Sequence, residues 1–574
     1  MPTVAEMIVE SLAAQEVRTV WGVVGDALNP VTDAIRRREG LEWIGVRHEE
    51  TAAFAASAQA QLGSAPGVCM GTVGPGSIHL LNGLYDAKKS HAPVIAICGQ
   101  VPLAEIGSEF FQEVNNDVLF QDVSVFCATV TSPQQMPGLL EQAVQGALHH
   151  RGVAVLTLPG DVGGMDVPDG AAAHFATGRQ PVIPDPAKLR EASIRVNGAA
   201  KVTLLVGAGA REARTEVLAL ADRLAAPMVL TLKAKDGLEA DNPFQVGQTG
   251  LIGNPAARKA LDGAELLLMI GTDFPYGDWY PHGKEVIQID DRGEHIGRRT
   301  AVDLGLVGDA RMTVEGLLRL VAAKEDRSHI DDARGAFESW QQRQRKLTST
   351  EPDEGLVARV RSTFENPDDR IRPEALAAAV DSHAAPDAIF TSDTGMSTVW
   401  LSRFVTMTGS RRLIGSYNLG SMANAMPQAL GAQALDRGRE VIAFCGDGGL
   451  TMLLGDLITA VTHDLRVRLV VFDNGRLGMV KLEQEQGGLP EFGTTLENPD
   501  LAAVARAIGL EGVRVEDPSE LDTAVRTALA VPGPVLLDVV TNPDEVSLPP
   551  KVKPGEAWGF AVAKFTEVLS SRGE

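Results

Sequence analysis

Short runs of β-branched and apolar residues recur along the chain, each followed by a polar or glycine turn and then by a stretch with helical spacing. In the first third the runs are Thr19–Val23, Leu41–Val46, Val68–Thr72, Val94–Cys98 and Val153–Leu158. A second series is Lys201–Val206, Met228–Leu232, Leu266–Ile270 and Glu285–Ile289. The third is Ala388–Thr391, Val441–Cys445, Val467–Phe472 and Pro534–Val540. Runs that are apolar on both faces suit parallel strands buried beneath helices. Their alternation with helical stretches predicts an α/β protein of three doubly wound parallel-sheet domains. The expected domains are 1–170, 185–325 and 371–545. A Gly-, Ala- and Pro-rich linker, Gly163–Pro186, separates the first two, and a charge-rich linker over 326–370 separates the last two. Residues 546–574 read as a terminal element in which Trp558, Val562, Phe565 and Leu569 share one helical face.

The most informative stretch is Val441–Glu483. A buried strand there breaks into Gly446-Asp447-Gly448-Gly449. A helix over about Thr451–His463 follows, and the next strand ends at Asp473-Asn474. In a right-handed strand-helix-strand unit the two strands are parallel, and neighbouring strands lie about 4.8 Å apart. Asp447 and Asn474 are therefore expected side by side at the carboxyl edge of one sheet, where open α/β sheets bind ligands. A carboxylate, an amide oxygen and a nearby carbonyl suit Mg²⁺ with a diphosphate. The glycines let backbone N–H groups approach phosphate.

Composition narrows the class. The 574 residues suffice for about three domains, and 44% apolar content supports substantial cores. A formal net charge of −23 disfavours a nucleic-acid partner. The four cysteines, Cys69, Cys98, Cys127 and Cys445, form no CxxC pair, which suits a reducing cytoplasm. The amino terminus lacks a basic segment of the secretory kind, and no apolar run approaches the roughly 20 residues that span a bilayer. His48-Glu49 is not the start of an HExxH zinc site, because position 52 is Ala.

The GDGG turn with Asn474 at its spacing resembles the cofactor motif of the thiamine-diphosphate-dependent decarboxylases, oxidases and acetolactate synthases. That resemblance implies that Asp447, Asn474 and the carbonyl of Arg476 hold Mg²⁺, with Gly446, Gly448 and Gly449 against the diphosphate. RHEETAAFAASAQAQ resembles the family's activating-glutamate segment, and the match falls on Glu49. Such a carboxyl hydrogen-bonds the aminopyrimidine and promotes loss of the thiazolium proton. The turn at Gly74, with Asn82 downstream, resembles a cofactor landmark, and Phe111 and Gln112 match an FQE element that lines the substrate pocket. Gly395 lies in a second turn expected near the diphosphate. The run Gly415–Ala434 resembles quinone-linked pyruvate dehydrogenases, and it makes Met422 the bulky residue beneath the cofactor.

Residue Glu483 stands where oxidases of this family carry glutamate, whereas Met479 follows the synthases. In the middle domain, segments around Gly207, Gly209, Thr249, Gly250, Thr272, Asp273, Phe274, Asp290 and Asp309 resemble FAD-binding landmarks of pyruvate oxidases. The third glycine of a dinucleotide fingerprint is missing there. The implied fold is the thiamine-diphosphate-binding fold with a central Rossmann-like FAD domain. The implied cofactors are thiamine diphosphate, Mg²⁺ and FAD. The implied reaction is oxidation of pyruvate to acetate and CO₂ with a quinone as acceptor. Phosphate-dependent pyruvate oxidation and acetolactate-type carboligation remain open, as does an inactive scaffold protein. A homotetramer built from dimers is expected, cytoplasmic, with at most peripheral membrane contact.

Overall fold

The computed structural model describes residues 1–168, 172–175, 180–348 and 370–544. The terminal helix expected at Glu556–Leu569 lies outside them. Three six-stranded sheets follow one another along the chain. The first holds β1 (Thr19–Gly22), β2 (Glu42–Gly45), β3 (Gly67–Gly71), β4 (Val94–Gln100), β5 (Ser124–Thr129) and β6 (Val153–Pro159). The second holds β7 (Val202–Val206), β8 (Met228–Leu230), β9 (Gln245–Gln248), β10 (Leu266–Ile270), β11 (Glu285–Asp290) and β12 (Leu304–Val307). The third holds β13 (Ile389–Ser392), β14 (Arg412–Gly415), β15 (Val441–Gly446), β16 (Val467–Asp473), β17 (Glu511–Val515) and β18 (Val535–Val540).

Their orders are β2-β1-β3-β4-β6-β5, β12-β11-β10-β7-β8-β9 and β14-β13-β15-β16-β18-β17. The first and third sheets thus repeat one topology, while the middle sheet has the strand order of a dinucleotide-binding fold. The central strands are buried on both faces, as their continuous apolar runs require: β4, β6, β7 and β10 are buried throughout.

The first and third domains share one core. Helix Glu49–Leu62 of the first packs against helix Ala425–Leu435 of the third, and Ala52, Ala53, Ala55 and Ala56 share one buried cluster with Ala425, Ala429 and Ala432. Small side chains let the helices come close: a Cβ on Gly431 would sit 2.3 Å from the Ala55 carbonyl oxygen. The middle domain has its own core around β7, β8, β10 and β11. It is tied to the third by Asp236, which is 1% exposed and accepts from Arg412 Nε at 2.8 Å.

The charge-rich stretch expected to be a linker, with a helix near Trp340, opens with a 20-residue helix, Ser328–Leu347. Its apolar face, Ile330, Ala333 and Phe337, is buried, and Ala333 and Phe337 pack with Ala256, Ala260 and Leu261 of the middle domain. The helix expected after the GDGG turn also differs. It starts at Asp447, stops at Met452, passes through a tight turn over Leu454–Asp456 and resumes over Leu457–Thr462. No helix among the described residues is long and apolar enough to cross a membrane.

Candidate active site

β15 and β16 pair in parallel with Gly446 opposite Phe472, so the turns that leave them emerge together. Asp447 and Asn474 line one cleft, along with Gly395, Met422, Gly446, Gly448, Gly449 and Arg476. Asp447 is 2% exposed. Burial pushes its carboxyl up to about 6, against the opposing hydrogen bond from Asn498. Its Oδ2 accepts the Gly475 N–H at 2.9 Å and Asn498 Nδ2 at 2.7 Å. Asn474 Oδ1 accepts the Arg476 N–H at 3.0 Å, which leaves that oxygen a second lone pair.

A buried carboxylate beside an amide oxygen is a donor set that a hard divalent cation satisfies. The walls also fit a diphosphate. A Cβ on Gly395 or Gly446 would meet nothing within 4 Å, so both present bare backbone to open space. Gly449 is glycine for another reason, since a Cβ there would sit 2.4 Å from Asp393 Oδ2.

Two residues that shape this cleft escaped the sequence reading. Asp393, which the sequence placed only within a turn, is 1% exposed, and burial pushes its carboxyl up to about 7. It stitches three loops together, accepting the Ala425 N–H at 2.9 Å and the Gly446 N–H at 3.2 Å. Asn498 donates to both Asp447 Oδ2 and Asp473 Oδ1 from an irregular loop with no local signal.

The first domain carries a second cluster. Glu49 is the first residue of its helix, 7% exposed, with Oε2 3.0 Å from His79 Nδ1. His48 caps that helix, its Nδ1 accepting the Glu50 N–H, and its ring stacks on His79 at 4.4 Å. The ligand atoms of His48, Glu49 and His79 lie within 4.8 Å of one another. Nδ1 of His48 is already used by its cap, however, and the cap leaves the proton on Nε2, which opposes metal ligation there.

Asn82 does not touch Glu49. Its Nδ2 donates to Glu50 Oε1 at 2.7 Å and to Ser421 Oγ at 2.8 Å. Glu50 is thereby held within its own domain by Asn82, which itself reaches across the domain boundary to Ser421. Gly74 has φ +64° and abuts Gln112, whose φ is +66°. The glycine turn and the FQE element are therefore in contact, with Phe111 79% exposed beside them. None of Glu49, Gly74, Phe111 and Gln112 lines the third-domain cleft. Glu483 is exposed on helix Gly478–Gln486, three and four residues beyond the cleft-lining Val480 and Met479, and so on their side of the helix.

In the middle domain Gly207, Thr272 and Asp290 meet at the carboxyl ends of β7, β10 and β11, which pair in register. Gly209 packs on Gly271 beside them. Thr249 is 5% exposed, and its hydroxyl has no hydrogen-bond partner among the described residues. The adjoining Gly250, at φ +97°, faces the Phe274 ring. An unsatisfied buried hydroxyl beside bare backbone fits a polar cofactor laid across this edge.

Two predicted cofactor residues already have partners within the chain. Asp309 caps helix Ala310–Leu318, accepting the Met312 N–H at 3.0 Å. Asp273 Oδ2 joins all three domains, accepting from Asn418 Nδ2 at 2.7 Å and lying 3.3 Å from His91 Nε2. Burial opposes ionisation of Asp273, but Lys233, His91 and Asn418 outweigh it and hold its carboxyl well below the usual range. Asp290 Oδ1 accepts the Arg292 N–H at 3.0 Å and lies 3.4 Å from His295 Nδ1.

This combination of repeated flanking sheets and a glycine-walled, carboxylate-bearing cleft defines a class, and comparison with known proteins agrees. Residues 2–119, 189–317 and 393–539 match the N-terminal, central and C-terminal domains of thiamine pyrophosphate enzymes. The chain belongs to the thiamine-pyrophosphate-dependent enzymes, in the group that includes pyruvate oxidase and acetolactate synthase. It is 36% identical to the thiamine pyrophosphate-containing protein YdaP of Bacillus subtilis, over 97% of this chain and 95% of that one. It is 30% identical to pyruvate oxidase of Lactiplantibacillus plantarum, over 94% and 88% of the two chains. It is also 31% identical to the large subunit of acetolactate synthase isozyme 2 of Escherichia coli, over 98% and 100%.

Proposed function

We propose that this enzyme oxidatively decarboxylates pyruvate to acetate and CO₂ and delivers the two electrons through FAD to a quinone. The observation that carries the reading is the pairing of two sites. One is the Asp447–Asn474 cleft, and the other is a Rossmann-ordered middle domain with the unsatisfied Thr249 hydroxyl beside Gly250. When bound, thiamine diphosphate supplies the carbon nucleophile and electron sink, and FAD supplies a two-electron acceptor. Asp447, Asn474 and the Arg476 carbonyl hold Mg²⁺, while Gly395, Gly446, Gly448 and Gly449 present backbone to the diphosphate. Met422 supports the cofactor from the cleft wall.

Glu49 exchanges a proton with the aminopyrimidine nitrogen, and Phe111, Gln112 and Glu483 border the pyruvate. Gly207, Gly209, Thr249, Gly250, Thr272, Phe274 and Asp290 hold the flavin. Among the described residues the cleft is lined by the third domain alone, and the family resemblance implies that Glu49 comes from the first domain of a second copy. The working unit is then a dimer, and a tetramer is the expected assembly. The enzyme works in the cytoplasm and visits the membrane only peripherally to meet its quinone.

Met479 lines the cleft and follows the synthase pattern, which favours acetolactate-type carboligation as the second reading. A product assay with pyruvate decides between them. Acetate with reduction of a soluble quinone analogue, without a phosphate requirement, is expected. Acetyl phosphate and peroxide in air would assign a phosphate-linked oxidase. Acetolactate without net flavin reduction would assign the carboligase.

A further inference from the structure

Asp456 lies nine residues beyond Asp447, at the end of the tight turn that follows the diphosphate-facing helix. It is 1% exposed, and it is not spent on its own domain alone. Oδ1 accepts the Arg47 N–H at 2.7 Å and Thr459 Oγ1 at 2.8 Å. Oδ2 accepts the His48 N–H at 3.1 Å and Thr51 Oγ1 at 2.7 Å. Three of the four donors therefore belong to the first domain, and they flank Glu49 on both sides. A carboxylate from the third domain sits at the amino end of the helix that begins at Glu49, where its charge also suits the helix dipole. The same acid continues through the chain into the segment that carries Asp447.

We infer that Asp456 is a positioning residue for Glu49. It holds the Arg47–Thr51 backbone so that the Glu49 carboxyl keeps its bearing against His79, and it ties that bearing to the metal- and diphosphate-binding segment of the same chain, which serves the dimer's other cleft. This inference rests on the reading of Glu49 as the proton-exchanging carboxyl. Two backbone N–H bonds and one hydroxyl bond from the Arg47–Thr51 segment converge on this one buried side chain, which fixes that segment's position.

The test measures exchange of the thiazolium C2 proton of bound thiamine diphosphate with D₂O, without substrate. Cofactor Kd and thermal midpoint are measured alongside. Asp456→Asn turns an N–H₂ toward backbone N–H donors. It should slow exchange about tenfold or more, since misplacement on the ångström scale costs up to 10²-fold, while cofactor Kd stays within about threefold. Thr51→Val deletes a single bond and should slow exchange less, in the same direction.

Glu49→Gln is the control. If it leaves exchange unchanged, the reading of Glu49 falls and takes this inference with it. If Glu49→Gln slows exchange while Asp456→Asn matches wild type, the inference alone is overturned. A lower melting point with unchanged exchange per bound cofactor likewise reduces Asp456 to a helix cap. If Asp456→Asn does not fold, Thr51→Val decides by the same criterion.

Discussion

At the scale of single residues, the chemistry concentrates on carboxylates whose surroundings differ sharply. Asp447 faces an open cleft and is held by Gly475 and Asn498, whereas Asp393 is enclosed by backbone donors. Asp447→Ala should therefore leave the fold intact and weaken Mg²⁺-dependent binding of thiamine diphosphate. The loss should be at least the roughly 10–100-fold that removal of an outer-sphere partner brings. Calorimetric titration checks it, and unchanged affinity would remove Asp447 from the metal site. Glu49→Gln should keep cofactor affinity and lose about 10²–10⁴-fold in turnover, because an amide cannot exchange the proton. Glu50→Gln should cost far less, since Glu50 serves Asn82. The reverse ranking would show that the wrong neighbour was chosen.

At the scale of elements, the joint between the first and third domains buries a further acid. Asp86 is fully buried, its Oδ2 accepting from Ser57 and from Gln428 at 3.1 Å each. Burial pushes its carboxyl up to about 6 from an ordinary 3.8. The fold thus favours the protonated acid. That contribution is whole below about pH 4 and is lost as pH rises through 6, a swing of about 3 kcal/mol. Asp86→Asn never ionises. Its melting temperature relative to wild type should therefore climb between pH 4 and pH 7, and parallel curves would refute the argument.

The elements also show what the hydrophobic pattern can carry. Every strand read from it lies within one of the observed sheets, but β5, β9, β12, β14 and β17 were missed. All five lie at sheet edges. β17, Glu511–Val515, is interrupted by Gly512 and Arg514 and lacks the continuous apolar run of a central strand, whereas β5 carries a short one, Val125–Ala128, that was passed over. A helix near Trp340 was expected and is Ser328–Leu347, but its surroundings were read as linker because its buried face is narrow among charged neighbours.

At the scale of the whole molecule, two predictions concern completion of the site. Purified protein should be yellow and release FAD on denaturation. A colourless preparation that takes up no added FAD would leave a non-redox decarboxylase or carboligase. Glu49→Gln and Asp447→Ala homodimers should each be inactive, yet mixed and re-associated subunits should regain activity, because one intact half from each copy meets in a hybrid cleft. Absence of rescue would place both halves of the site in one chain.

The sequence alone determined the three-domain α/β plan and the placement of Asp447 beside Asn474. Both follow from local rules: buried central strands must be apolar, and one strand-helix-strand unit fixes where its two turns emerge. Only the tertiary structure decided that Asn498 holds Asp447, that Asn82 serves Glu50, and that Asp456 grips the backbone around Glu49. Those bonds span from 32 to 409 residues along the chain. A hydrogen bond has no periodicity and leaves no trace in the pattern of its neighbours, so its partners become visible only when packing brings them together.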